Sequence, residues 1–319
     1  MSEPFSADTG KFNPSDKTFT ELMMPGKYPW WENLKKNKNI SIQIRKGNTI
    51  DAYYNGGGIL KELHYDERKN KFVAKIHCNY ILLGNDANGY QPLLLTTDSI
   101  TFSREIKTME FSQLEDKALK PVIARVKKYH NTESEKAIQF DFLKNDPFII
   151  DAELQTAKYG RIDLVRLDKK TKKIVLIEVK TKDDPRLFAD PNEDKKSVYH
   201  QLKKYHDFAV DNQKSILDYY AKLLQVKEDL GLNQPEVKRL ISVDWKVECY
   251  PLLVFGDCGL AWTKEHGNSI DEKIQEVAYA AYYFAGSEYP LELDPESKTS
   301  RHFFQGPYQN NWKEKTSAK

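Results

Sequence analysis

The stretch that most restricts the fold runs from Gly160 to Lys180. It reads Gly-Arg-Ile-Asp-Leu-Val-Arg-Leu-Asp, a lysine-rich turn, then Ile-Val-Leu-Ile-Glu-Val-Lys. Side chains alternate along a strand, so Ile174, Leu176, Glu178 and Lys180 share one face and Val175, Ile177 and Val179 the other. Both faces are largely apolar, which predicts a central strand covered on both sides. A glutamate and a lysine at its end are out of place for packing. A buried charge costs several kcal/mol unless partners compensate it.

The preceding strand repeats the anomaly. Asp163 shares a face with Val165 and Leu167, while Ile162 and Leu164 look the other way. If the hairpin is centred between Lys170 and Thr171, Asp163 comes opposite Glu178, with Cβ atoms roughly 5 Å apart. Two carboxylates so close raise each other's pKa. A hard divalent cation such as Mg²⁺ (or Mn²⁺) relieves that repulsion. Lys180, on the same face, would then position a water or stabilise charge developing on a phosphate. The competing reading is a hairpin end whose acids face water, with Lys180 paired to Glu178.

On the helix expected next, Val198, Gln201, Tyr205 and Phe208 form one stripe at i, i+3, i+7 and i+10. Gln201 is thus an amide on a face aimed at the sheet, in need of a hydrogen-bond partner. It either meets the lysine or a phosphate, or snorkels at the edge of the stripe.

A helix, then Gly160-Arg-Ile-Asp163, then Ile177-Glu-Val-Lys180, then Gln201-x-x-x-Tyr205 resembles the PD-(D/E)XK nuclease superfamily, and the Gln and Tyr its RecB-like branch. The resemblance covers about residues 131–260. It implies an α/β restriction-endonuclease-like core, a mixed central sheet flanked by helices. It also implies that Asp163 and Glu178, with the Val179 carbonyl, bind Mg²⁺ or Mn²⁺, that Lys180 is the catalytic lysine, and that Gln201 and Tyr205 support the site and the nucleic-acid backbone. The family often adds an acid from the helix before the sheet. Glu135, on a stripe with Ile138 and Phe142, fits that role, and equally fits a capping box with Thr132. Glu133 is the alternative, and Glu153 is a further acid near the site or facing solvent. Ile162 stands where the family motif has its proline.

Elsewhere the chain reads as a polar arm (1–27), a β-rich N-terminal domain ending in a helix near 113–130 (28–130), the nuclease-like domain (131–290) and a polar tail (291–319). Within the nuclease-like part, the patterns predict a helix over 133–144 and strands over 148–156, 160–168 and 173–181. A helical region over 195–229, a strand near 247–255 and a helix near 270–285 follow. Gly56–Gly58 lacks the spacing of a phosphate cradle and reads as a hairpin turn. Seven histidines lack ligand spacing, His200 and His206 being wrong for one helical face.

Net charge is +2, so a nucleic acid must be held by a local patch. Lys195, Lys196, Lys203 and Lys204 around the Gln201 helix offer one. Lys169, Lys170, Lys172 and Lys173 on the hairpin tip read rather as a solvated turn. Tyr28, Trp30, Trp31, Tyr53 and Tyr54 are either base-stacking or core residues. Three scattered cysteines, a polar N-terminus and no membrane-length apolar run predict a cytoplasmic protein without a membrane partner. The expected function is a divalent-metal-dependent nuclease acting on DNA ahead of RNA. The alternatives are a catalytically silent nucleic-acid-binding or assembly protein on the same fold, and a structural protein whose N-terminal sheet mediates homo-oligomerisation.

Overall fold

Short apolar runs broken by Gly, Asn and Asp turns build one sheet, and apolar strands interleaved with amphipathic helices build another. The structure, a computed structural model, describes residues 12–54, 56–77, 80, 89–95, 100–102, 122–126, 128, 135–156, 158–169, 171–232, 244–256, 260–282 and 301–303. The chain divides into two compact units, one drawn from residues 6–132 and 219–238, the other from 133–218 and 239–319.

The first unit holds α1 (Lys17–Leu22), α2 (Pro29–Lys36) and strands β1 (Ile40–Arg45), β2 (Thr49–Tyr54), β3 (Gly57–Asp66), β4 (Lys71–His77), β5 (Tyr90–Leu95) and β6 (Ile100–Phe102). They pair in sequence order, each antiparallel to the next. Tyr54 pairs with Gly57, and Gly56 before it takes φ +81°, so the glycine run sits at a hairpin, with Gly57 and Gly58 opening β3.

One expectation needs correction here. The arm expected over 1–27 contains α1, capped by the Asp16 carboxylate on the Thr18 N–H at 2.8 Å, with Phe12, Phe19 and Leu22 buried. Three apolar anchors hold it, too few to show as a periodic run. Of the two readings left open for the N-terminal aromatics, burial selects the core: Tyr28, Trp30, Trp31, Tyr53 and Tyr54 are all at most 8% exposed. Tyr28 and Trp30 meet Phe72 edge-on at 5.0 and 5.6 Å. Of the helix expected over 113–130, residues 122–126 and 128 are helical, and the rest lies outside the described residues, as do Thr132 and Glu133.

The second unit begins with α3 (Glu135–Asn145), β7 (Ile149–Thr156), β8 (Gly160–Asp168) and β9 (Lys173–Thr181). A 3-10 turn (Pro185–Leu187) and α4 (Val198–Asp211) follow. Next come α5 (Gln213–Asp229), of which residues from Tyr219 on count with the first unit, and then β10 (Lys246–Val247), β11 (Leu252–Gly256), α6 (Leu260–Ile274), β12 (Tyr279–Tyr282) and β13 (Arg301–Phe303). The sheet order is β13-β12-β11-β9-β8-β7, with β10 also on β9. β7, β8 and β9 are antiparallel, while β11, β12 and β13 continue parallel to β9. The molecule is thus α/β. Ile138 and Phe142 of α3 pack on Val175, Ile177 and Val179, and Val198 and Leu202 of α4 pack with Leu253, Phe255 and α6. β9 is therefore covered on both faces, as its composition demands.

The boundaries of β8 and β9 agree with the alternation of their residues. Others moved. The helix expected over 270–285 ends at Ile274, and 279–282 is strand: Ile270 and Ile274 belong to the helix, whereas Val277 and Ala278 lead into β12. The strand expected near 247–255 is split around Pro251, and the long helical region breaks at Asn212, whose amide turns back to the Phe208 carbonyl at 2.9 Å. Within the polar tail, Arg301–Phe303 pairs with β12.

Two long-range contacts seat α3. Asp146, at its C-terminal end, forms a buried ion pair with Arg166 of β8 at 2.8 Å. Gly256 lets the helix approach β11, since a Cβ there would lie 2.0 Å from Ile138 Cδ1 and 2.9 Å from Cγ1. Gly256→Ala should lower stability by about 1–3 kcal/mol, and Ile138→Ala in the same chain should recover part of that loss. Urea denaturation of both single variants and the double would measure the coupling, and strictly additive losses would contradict the close contact.

Candidate active site

The ladder between β8 and β9 runs from Asp168↔Lys173 to Leu164↔Ile177, the register expected from a turn centred at 170/171. One step beyond, where Asp163 faces Glu178, the Val179 N–H donates to the Asp163 carboxylate at 3.0 Å. Asp163 thereby enters the ladder as a side-chain acceptor and is held at the point where the strands part.

Glu178 and Lys180 are each 1% exposed. The Lys180 ammonium has three donors and three oxygens: Glu178 Oε1, the Val179 carbonyl at 3.1 Å and Glu135 Oε1 at 3.3 Å. Gln201 Nε2 donates to Glu178 Oε1 at 2.7 Å and to the Tyr205 hydroxyl at 3.1 Å. That hydroxyl lies 2.7 Å from Glu178 Oε2 and also against the Arg161 carbonyl, so its one proton serves both. Asp163, Glu178, Lys180, Gln201, Tyr205 and Glu135 therefore meet in one cluster, with the Val179 carbonyl among them. Gln201 finds its partner in Glu178. Glu135 reaches over from α3 to the lysine.

Glu153 turns elsewhere. It sits at φ +55° and pairs with Arg161 at 3.3 Å and Lys136 at 3.7 Å. The hairpin-tip lysines are engaged within the chain: Lys172 with Asp244, Lys173 with Glu248, and Lys169 over the Phe148 ring at 4.1 Å. Lys170 lies outside the described residues. Lys195, Lys196, Lys203 and Lys204 are exposed. His200 and His206 lie 2.8 and 2.9 Å from the carbonyls of Pro191 and Cys249.

Two residues that periodicity does not single out complete the cluster. Asp184 caps the 3-10 turn through the Arg186 N–H at 2.9 Å and grips the Arg186 guanidinium, whose Nη2 is 3.3 Å from Glu135 Oε1. The available signal was Asp184-Pro185, separated from the end of β9 by two residues, an N-cap followed by proline at the first turn position.

Four carboxylates (Asp163, Glu178, Glu135, Asp184) surround two cations (Lys180, Arg186), a formal charge of −2. Burial, then Glu178, pushes the Asp163 carboxyl up to about 7. Burial, with Asp163 adding to it, also raises Glu135 against the pull of Lys180. Burial alone would depress the Lys180 ammonium, but Glu178, Glu135 and Asp163 outweigh it and hold the pKa above the usual lysine value. Burial, then Glu178, raises the Tyr205 phenol, which stays a neutral donor.

This charge deficit is the test of fit for a metal. The donors are all oxygen, the set that hard divalent cations take, and an ammonium already draws three of those oxygens together. Among the described residues, no group of three or more His, Cys, Asp or Glu forms a ready-made cage. Glu135 is bound to both Lys180 and Arg186, whereas Glu178 and the Val179 carbonyl share only Lys180 of the two, so a cation held by Asp163, Glu178 and the Val179 carbonyl would have to displace that one ammonium. Compared with protein-family models, curated proteins and solved structures, the chain matches none.

The raised Asp163 carboxyl predicts a pH dependence. Below about pH 4 both folded and unfolded chains carry its proton. Between there and about 7 the folded state keeps a proton that the unfolded state has released, so this group's contribution to stability falls as pH rises. In metal-free buffer, Asp163→Asn should therefore melt above the wild type at pH 8, with the gap closing towards pH 4. Parallel melting curves across that range would contradict the buried, uncompensated acid.

Proposed function

We propose that the second unit carries a divalent-metal-dependent nuclease centre of the PD-(D/E)XK type, RecB-like in its Gln and Tyr, that hydrolyses phosphodiester bonds with DNA preferred to RNA. The observation that carries this reading is the buried set of Asp163, Glu178 and Lys180, which with Glu135, Asp184 and Arg186 forms a cluster with a formal excess of two negative charges. The element order α3-β7-β8-β9-α4-α5-β10-β11, with β11 parallel to β9, supports it as a restriction-endonuclease-like core. Among the described residues, no helix is long and apolar enough to cross a membrane.

Asp163, Glu178 and the Val179 carbonyl are the ligands we assign to Mg²⁺ or Mn²⁺, which when bound polarises a phosphoryl oxygen and lowers the pKa of a water. Lys180, released from the acids, donates to the attacking water or to a non-bridging phosphate oxygen and stabilises the charge that develops there. Gln201 and Tyr205 hold the two Glu178 oxygens in orientation, so the carboxylate need not reorganise when substrate arrives. Glu135 sets the position of Lys180. The exposed lysines on and before α4 supply salt-sensitive contacts to the backbone.

One observation favours a second reading, a catalytically silent nucleic-acid-binding or assembly protein: Lys180 is fully satisfied by its own chain. The two are separated by incubating purified protein with Mg²⁺ or Mn²⁺ and linear, circular and single-stranded DNA and RNA. Cleavage should appear on DNA and fall about 10²–10³-fold in Lys180→Met and Glu178→Gln. Calorimetric titration should show Mn²⁺ binding that weakens in Glu178→Gln. Nucleic-acid binding without cleavage of any substrate would establish the silent reading instead.

A further inference from the structure

Arg186 stands at the rim of the acid cluster and is 40% exposed at its side chain, whereas Asp184 beneath it is 7% exposed. Its guanidinium is anchored rather than loose. Nε lies 2.9 and 3.1 Å from the two Asp184 oxygens, Nη2 bonds Asp184 Oδ2, and Nη2 is 3.3 Å from Glu135. Asp184 is itself fixed as the cap of the 3-10 turn, and the Leu187 that follows is fully buried.

A guanidinium carries five N–H donors in a rigid plane. Three lie on the edge that faces Asp184 and Glu135. The two on Nη1 have no hydrogen-bond partner among the described residues. A carboxylate pair fixes the plane, and the side chain that carries the two open donors is 40% exposed. Such an anchored fork suits an anionic oxygen, and phosphate is the ligand whose geometry it matches. Glu135 links this fork to the Lys180 ammonium, so the two cations bracket one acid at the mouth of the cluster.

We infer that Arg186 is a substrate-binding residue that takes the phosphate adjoining the scissile one, its Nη1 donors bonding a non-bridging oxygen. This rests on the nuclease reading of the centre. Two phosphates of one strand would then be held together, one by Lys180 and one by Arg186.

The test uses the full chain and DNA oligonucleotides in which single phosphates are replaced, one at a time, by neutral methylphosphonates. Wild type should lose affinity sharply at one position next to the cut. Arg186→Gln should bind unmodified DNA roughly 10- to 150-fold more weakly, the range of a charge-assisted hydrogen bond, and show no further loss at that position. Losses at the other positions should persist. Arg186→Lys, which keeps the charge and a partner for Asp184, should recover part of the affinity, and melting curves should show all three proteins folded. A rise in KM with little change in kcat should accompany the loss. An unchanged methylphosphonate pattern in Arg186→Gln, or a fall in kcat alone, would overturn the assignment and leave Arg186 a support for Glu135. Wild-type protein that neither binds nor cuts any of the oligonucleotides would overturn the nuclease reading together with this one.

Discussion

Glu178 and Lys180 lie two residues apart on one face of the central strand, almost wholly removed from water. Each charge so buried would cost several kcal/mol if left alone. They are tolerated because each has partners: the ammonium bonds three oxygens, and the carboxylate receives the lysine, Gln201 and Tyr205. That requirement dictates much of the second unit. α4 must present an amide and a phenol to the sheet at i and i+4. α3 must bring Glu135 to the end of β9. The Asp146–Arg166 pair and the bare Gly256 are the contacts that hold α3 there.

The protein buries acids in two ways. In the first unit, burial pushes the Asp51 carboxyl up, but Arg45 at 2.9 Å and Lys61 at 2.5 Å outweigh it and hold it below the usual carboxylate value. The Tyr53 hydroxyl and the Glu62 N–H complete its shell. That acid is a structural fastener whose charge is balanced on the spot. Asp163 is the reverse case. Its hydrogen bond to the Val179 N–H and the attraction of Lys180 do not offset burial and Glu178, and the carboxyl stays raised. A fold able to neutralise Asp51 leaves Asp163 short of positive charge, and perturbed acids of that kind gather at functional sites.

The strand pair and the amide stripe were legible in the residues because their signals are local. Alternation over nine residues sets the faces of β8 and β9, and the four-residue turn between them sets the register that brings Asp163 opposite Glu178. The 3.6-residue period turns Gln201 and Tyr205 towards the same sheet. Where apolar residues belonged to two adjacent elements, periodicity merged them, and a helix was expected across the Ile274–Tyr279 junction. The N-terminal aromatics were undecided in the residues alone, since Trp30 and Trp31 would look the same in a core or on a binding face.

By itself, then, the sequence determined the central hairpin, the acids and lysine it carries, and the helix face that meets them, because strand and helix periods act over a few neighbouring residues. Only the tertiary structure decided that Glu135 bonds Lys180, that Glu153 turns to Arg161, that Asp184 and Arg186 close the rim, and that the tryptophans are core. Each of those outcomes depends on which distant segment comes close enough to exclude water or share a proton. Close approach of that kind is fixed by packing across the whole sheet, as at Gly256 against Ile138, and leaves no period in the chain to read.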